Sequence, residues 1–462
     1  MFSWGNLHKL YFIGIKGGGM SALARLLKQK GFEVCGSDVE DEFFSDKLLA
    51  DSGIEVFSPF SLDNIPSQVD LVVYSTAYNQ NNNKELAHFL SSKNIPVLSY
   101  PEALGQVMSL YRAIAVSGTH GKTTTTALLS FILQQANYDP SAIIGSSVPQ
   151  FNGNVLLGKS SLLVVETDEY QNKFRHYQPD LLIVNNIDWD HPDFFADEQS
   201  YFDVFVEFIR KVPAGGVVVA NFDDENVRAA VKQSQTKAEV QWYSLEDKQA
   251  DFFIANKGND EDWQYFSVYN KGQYINSGRS LIFGDFNLYN IAAAMTLSRA
   301  LGVEFDKILS AVSRFAGTLK RFESKGEIKG VKIFDDFAHH PSEIKATLQM
   351  ARRRFAEQRI VVVFQPHTYS RTQKFFKEFS KSFVGVDQVI ILDIFSSARE
   401  KQGKIDSNML AQAINKEKGK AIYLPTVDDA YKWLKDNLQA GDVLITMGAG
   451  KADQVIDLIK NG

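Results

Sequence analysis

Residues 117 to 126 read Ser-Gly-Thr-His-Gly-Lys-Thr-Thr-Thr-Thr and join an apolar stretch, Arg112 to Val116, to a helical one, Thr123 to Ala136. Few folds accept such a join. Gly118 and Gly121 let the backbone turn tightly enough to aim successive N–H groups at one point, where a helix N-terminus adds partial positive charge. Lys122 supplies a point charge for terminal phosphates, and the Thr123 hydroxyl can ligate Mg2+. Gly118, Thr119, His120, Gly121, Lys122, Thr123 and Thr124 therefore form the expected cradle of a nucleoside triphosphate. The loop is shorter than the general G-x-x-x-x-G-K-[ST] pattern, whose first glycine would fall on Val116.

A chain of 462 residues has room for about three domains of about 150 residues. Hydrophobic residues at 44% and charged residues at 23% are those of an ordinary globular protein, so a packed core is expected. A formal net charge of -6 argues against nucleic acid or a membrane surface as partner. The single cysteine, Cys35, excludes an intrachain disulfide and, with no Cys or His cluster, a structural zinc site. The N-terminus lacks the basic stretch and apolar core of a signal peptide, and no window reaches about 18 consecutive apolar residues. A cytoplasmic protein, monomer or homodimer, is expected.

The order of elements predicts an α/β protein of three domains. Residues 1–108 form a Rossmann-like unit opening on the strand Lys9 to Ile15. Residues 109–318 form a P-loop unit with a parallel sheet, because Ser161 to Val165 and Leu181 to Val184 are continuously apolar and suited to burial on both faces. Within it, Val240 to Phe283 reads as a small antiparallel excursion with turns at Gly258-Asn259, Lys271-Gly272 and Ser277-Gly278. Phe202, Phe205 and Phe208 recur at helical spacing and read as core. Residues 319–462 alternate strand and helix again, including a helix from Thr372 to Val384, and form a second Rossmann-like unit.

Three further clusters carry chemistry. Gly14, Gly17, Gly18 and Gly19, with Asp38 19 residues beyond Gly19, have dinucleotide-like spacing, into which NAD, FAD or a UDP-sugar would fit. Glu166-Thr-Asp-Glu169 and Asn186-Ile-Asp-Trp-Asp-His191 fall at the carboxyl ends of predicted strands, where an open sheet places its ligands. Carboxylates beside a P-loop are hard ligands for Mg2+, and a histidine can join a second metal. In the last unit, Asp335-Asp336-Phe-Ala-His339-His340-Pro341 and Gln365-Pro-His367-Thr-Tyr-Ser-Arg371 follow strands. The histidine pair lacks a third ligand at metal-site spacing, and Arg371 could fork onto a carboxylate.

Taken in order, the P-loop, the Glu166 cluster, Asn186 to His191, Asn287-Leu-Tyr-Asn290, Lys320-Arg321-Phe-Glu and Asp335 to Pro341 resemble the Mur ligases, ATP-dependent amino-acid ligases of peptidoglycan precursor synthesis. The resemblance spans essentially the whole chain. It implies UDP-N-acetylmuramate rather than NAD on the first domain, held by Gly14, Gly17, Gly18, Gly19, Met20, Ser37, Asp38 and Ser75. It implies ATP on the second, with Lys122 on the phosphates and Thr123, Glu166 and His191 as Mg2+ ligands. Asn287, Asn290, Arg321 and Asp335 or Asp336 would frame the nucleotide. L-alanine would meet His339, His367 and Arg371, so that Lys122, His191, His339 and Arg371 are the expected catalytic group.

Within the family, Phe364-Gln-Pro-His-Thr-Tyr-Ser-Arg-Thr and Met447-Gly-Ala-Gly resemble the alanine-adding branch. The helix after His191 lacks the lysine that other branches carbamylate, in keeping with that branch, whereas Thr368 stands where some of its members carry Arg. His176-Tyr-Gln-Pro and the stretch from Asn185 to Phe195 resemble instead the recycling enzyme that attaches a whole tripeptide. From the residues alone, a nicotinamide-dependent oxidoreductase built on the first glycine cluster and a nucleotide-switched binding protein are the readings of another class.

Overall fold

The computed structural model describes residues 4–92, 94–192, 194–260, 262–396, 403–417 and 419–461. The chain ends 1–3 and 462, and Asp193 of the Asn185 to Phe195 stretch, lie outside the described residues. Three sheets succeed one another along the chain. The first has five parallel strands in the order Glu55–Phe57, Glu33–Ser37, Lys9–Ile13, Leu71–Tyr74, Val97–Ser99. This order reverses direction between Lys9–Ile13 and Leu71–Tyr74, which opens a crevice where the loops after Ile13 and Tyr74 part. Cys35 is buried in the strand Glu33–Ser37.

The second sheet has ten strands and is parallel at its centre. Arg112–Ser117 lies between Leu162–Glu166 and Leu181–Val184, and all three run the same way. Leu181, Leu182, Ile183 and Val184 are buried, as a strand covered by helices on both faces requires. The antiparallel excursion is present as Phe252–Asn259, Gln264–Asn270 and Gln273–Ser280 at one edge. Of its three expected turns, only Lys271-Gly272 forms one, with positive φ at both residues. Gly258-Asn259 are the last two residues of Phe252–Asn259 instead, and Ser277-Gly278 lies within Gln273–Ser280. A Cβ on Gly278 would sit 2.5 Å from the ring of Phe266 on the neighbouring strand, so packing rather than turning selects glycine there.

The third sheet is ordered Glu323–Ile328, Val331–Asp336, Val443–Met447, Ile360–Phe364, Gln388–Ile391, Ala421–Tyr423, antiparallel only at the first pair. The helix expected from Thr372 to Val384 is two short helices, Tyr369–Lys374 and Phe376–Ser382, broken at Phe375. Among the described residues no helix is long and apolar enough to cross a membrane.

The aromatic stripe has the expected core role and positions the site. Phe205 and Phe208 on the helix Glu198–Arg210 are buried, and Phe208 stacks on Phe174 at 4.1 Å between ring centroids. Phe174 belongs to the irregular segment Tyr170–His176, which directly follows the Glu166 cluster. The stack therefore anchors the loop that carries the acidic residues. Phe208→Ala should lower stability by about 3–5 kcal/mol, measured as a shift of the urea unfolding midpoint at unchanged slope.

Candidate active site

Because the three central strands of the second sheet are parallel, their carboxyl-end loops meet at one edge. The loop after Ser117 turns through Gly118 (φ +135) and Gly121 (φ +79), and a helix begins at Lys122. A Cβ on Gly121 would lie 2.2 Å from Asn290 Oδ1, so this position needs glycine for both conformation and space. Lys122 Nζ donates to the carbonyls of Gly118 (2.5 Å) and Thr119 (3.0 Å) and to Glu169 Oε2 (3.2 Å). Burial pulls its pKa down, but Glu169, Asp168 and Glu166 outweigh burial and keep it cationic. The Thr119 hydroxyl ties the loop to its neighbours, meeting Asp188 O beyond the strand Leu181–Val184 and Tyr201 OH on the helix Glu198–Arg210 at 2.8 Å each.

Thr123 Oγ1 donates to Glu166 Oε1 at 2.9 Å, and Glu166 Oε2 accepts from the Gly145 amide. Burial raises the Glu166 pKa, outweighing the Gly145 amide, the Lys122 charge and the Thr123 hydroxyl, which favour the carboxylate. A hydroxyl and a carboxylate at this spacing beside a lysine form a hard-oxygen donor set suited to Mg2+. His191 was expected beside Glu166. Its backbone is left-handed (φ +56), and its Nε2 lies 3.6 Å from Glu169 Oε1 instead. Glu169 also accepts from Tyr201 OH (3.0 Å), so one buried carboxylate links Lys122, Tyr201 and His191. The acidic cluster was visible in the sequence, but this role for Glu169 was not. Asp168, between them, pairs with Lys173.

A cavity of about 650 Å3 opens between the second and third sheets, lined by His120, Thr123, Thr124, Asn287, Asn290, Arg321 and Asp336. Asn290 Nδ2 donates to Asn287 Oδ1 (3.0 Å) and Asn290 Oδ1 accepts from Thr125, which fixes both amides in the wall. Sequence reasoning missed the far wall, where Tyr289 OH donates to Asp223 at 2.9 Å. Asp335 and Asp336 are consecutive in Val331–Asp336 and so point to opposite faces. Asp336 faces the cavity, accepting from the Phe322 and Ala338 amides, and burial pushes its pKa up to about 6. Asp335 turns away to accept from Thr446 Oγ1 at 2.6 Å and does not line the cavity.

In the third unit, Arg371 is 6% exposed and forks onto Asp190 of the second, with Nε and Nη2 3.0 to 3.2 Å from the carboxylate oxygens. Its Nη1 lies 3.3 Å from His367 Nδ1. The fork expected of Arg371 is thus made onto a carboxylate of the chain itself. His339 is half-buried against Phe337 O and Glu343, and desolvation lowers its pKa to about 3. His340 diverges from it towards Asp188 and His120. The histidine pair is therefore split, and His340 alone joins a different group, in which ligand atoms of His120, Asp188 and His340 lie within 4.8 Å of one another. The Ser342 hydroxyl occupies their midst, 3.1 Å from His120 Nε2, 3.2 Å from Asp188 Oδ2 and 2.7 Å from His340 Nδ1.

In the first unit, Gly14 (φ +81) and Ser75 close on each other at the sheet's switch point, and a Cβ on Gly19 would strike the Tyr100 hydroxyl. Gly18 opens the helix Gly18–Gln29, and its carbonyl accepts from Asn154 of the second unit. Three expected ligands are otherwise engaged. Ser37 is buried against Glu85, the Met20 side chain packs in the core, and Asp38 accepts from the Lys16 and Val39 amides and from Tyr78 OH.

Comparison with known families matches residues 9–112 to the Mur ligase family, catalytic domain, 116–298 to the Mur ligase middle domain and 320–450 to the Mur ligase, glutamate ligase domain. The UDP-N-acetylmuramate--L-alanine ligase of Desulfitobacterium hafniense is 39% identical over 96% of this chain and 97% of its own. Among solved structures, the UDP-N-acetylmuramate-alanine ligase of Thermotoga maritima superposes with a TM-score of 0.81 at 23% identity, covering 98% of this chain and 99% of its own. A murein peptide ligase of Psychrobacter arcticus reaches 0.72 at 23% identity, covering 98% of each chain. At that identity these two likenesses speak for the fold.

His120 joins the two units that wall the cavity. Its Nδ1 lies 3.0 Å from Glu343 Oε1 and its Nε2 3.4 Å from Asp188 Oδ2. Burial lowers its pKa, but hydrogen bonds to Asp188 and Glu343 outweigh that and raise it from 6.5 to about 9. A raised folded-state pKa contributes stability that is full below the unfolded value and lost as the proton leaves. The link should therefore hold below pH 6.5 and weaken as pH rises through about 9. Thermal melting across that window should show a falling midpoint, and His120→Gln should flatten the slope.

Proposed function

The chain belongs to the Mur ligase family, and from that premise we propose that it joins L-alanine to the lactyl carboxylate of UDP-N-acetylmuramate while ATP is cleaved to ADP and phosphate. One observation carries this assignment beyond the family: the phosphate loop with Lys122, Thr123 and Glu166 and the Arg371, His339 and His367 group belong to units that close on each other through the loop ending in Asp190 and His191. A phosphoryl-transfer loop and an amino-acid site must adjoin in this way if an activated acyl group is to be captured by an amine before water reaches it.

The domains assigned are 1–108 for the UDP-sugar, 109–318 for ATP and 319–462 for the amino acid. ATP takes the cavity lined by Asn287, Asn290, Arg321 and Asp336, with its phosphates over the amides of Gly118 to Thr124. Lys122 exchanges its loop carbonyls for phosphate oxygens, and Glu169 holds its charge in place. Thr123 and Glu166 would hold Mg2+, with His191 and Glu169 at the edge of that donor set. When bound there, Mg2+ neutralises charge on the phosphates. The lactyl carboxylate attacks the γ-phosphorus and forms an acyl phosphate, and ADP leaves. The alanine amine then attacks the acyl carbon, loses a proton, and expels phosphate through a tetrahedral intermediate. His339, held neutral by desolvation, is suited to bear on the amine without adding charge to the site. Closure would hinge at 107–110 and 317–319.

Addition of a whole tripeptide, as in murein recycling, has less support, because the full-length relatives at 39% identity are alanine ligases. Family membership removes the oxidoreductase and the nucleotide switch. Phosphate release and product mass decide between amine substrates. With UDP-N-acetylmuramate, ATP and Mg2+, release should depend on L-alanine, whereas dependence only on L-alanyl-γ-D-glutamyl-meso-diaminopimelate would transfer the chain to the recycling branch. Lys122→Ala should lower kcat by about a hundred- to a thousandfold in the same assay.

A further inference from the structure

Three consecutive residues beyond the strand Leu181–Val184 each send a side chain into the third unit. Asp188 Oδ2 accepts from Ser342 at 3.2 Å. The Trp189 ring meets Phe375 edge-on, with centroids 6.3 Å apart, and carries the Lys374 ammonium over its face at 4.3 Å. Asp190 receives the fork of Arg371. His191, with its left-handed backbone, then turns the chain back to Glu169. Metal-side and amino-acid-side groups are thus adjacent residues of one loop.

The Asp190–Arg371 pair is the most buried contact of this clasp, each residue being 6% exposed. Burial alone would raise the Asp190 pKa, and the Arg371 charge overcomes this and holds it well below the usual range. A guanidinium has two edges that can each meet a carboxylate. Asp190 takes the Nε/Nη2 edge, which leaves the Nη1/Nη2 edge, where His367 Nδ1 stands 3.3 Å from Nη1.

We propose that Asp190 is a positioning residue for the amine substrate: it holds one edge of Arg371 so that the other edge is presented, beside His367, to the carboxylate of the incoming amino acid. Because Asp190 belongs to the second unit and Arg371 to the third, this site is complete only when the two are closed. A free Arg371 would sample many rotamers and bind a carboxylate only after losing that freedom. The proposal rests on the alanine-ligase assignment.

The test is steady-state kinetics of the full-length wild type, Asp190→Asn, Asp190→Glu and Arg371→Lys, with each of the three substrates varied in turn. Asp190→Asn should raise KM for L-alanine by about ten- to a hundredfold, the effect of losing a hydrogen-bonded charge partner. KM for ATP should stay within about threefold. Asp190→Glu, which keeps the charge, should recover part of the loss, and Arg371→Lys, which loses the fork, should match Asp190→Asn. Calorimetric binding of a non-hydrolysable ATP analogue certifies that each variant is folded, and if Asp190→Asn fails it, the Glu and Lys variants carry the comparison. An unchanged KM for L-alanine, or a rise in KM for ATP in step with it, would overturn the positioning role. A wild type that releases no phosphate in response to L-alanine would instead overturn the assignment on which the proposal rests.

Discussion

The parallel register of three strands is the constraint on which the rest depends. With Arg112–Ser117 between Leu162–Glu166 and Leu181–Val184, three loops that are distant in sequence must leave the sheet at the same edge. One brings the glycines and Lys122, one the carboxylates of Glu166 and Glu169, and one the Asp188-Trp189-Asp190-His191 run. An antiparallel neighbour would send its loop to the opposite edge and remove one of these groups from the site.

Charge compensation follows from that convergence. Lys122 against Glu169 and Arg371 against Asp190 are largely removed from water, and His120 meets a half-buried Glu343 and an exposed Asp188. Such groups are tolerated only when paired, because an isolated buried charge is strongly disfavoured. Two of the pairs cross from the second unit to the third. The same electrostatics that neutralises the cleft therefore also holds it closed, and a phosphate or carboxylate entering the site competes with groups that already have partners.

Legibility in the sequence tracked the range of the interaction. The P-loop was readable because its function needs glycines, lysine and threonine at fixed local spacing, and Lys122 stands at the helix start as that spacing requires. Buried strands were readable from unbroken apolar runs. Asp335 and Asp336 could not be told apart as residue types, and only the pleat of Val331–Asp336 sends one to the cavity and the other to Thr446. Ser37 looked like a ligand at a strand end, yet its hydroxyl is spent on Glu85, 48 residues away. The Ser277-Gly278 pair read as a turn because glycine serves turns and close packing alike, and Phe266 on the neighbouring strand decided for packing.

What the sequence by itself determined is the local chemistry: a phosphate loop, alternating strands and helices in three units, acidic residues at strand ends, and a residue order shared with one enzyme family. These depend on contacts within a few residues, where spacing is geometry. Tertiary structure alone decided which carboxylate serves which cation. Glu169 rather than Glu166 reaches Lys122 and His191, Asp190 rather than substrate takes the first edge of Arg371, and His120 of the phosphate loop meets Glu343 across 223 residues. Complementary charges attract whichever partner the fold brings within reach, and that reach is set by sheet register and by the closing of one unit on another, neither of which is written in local spacing.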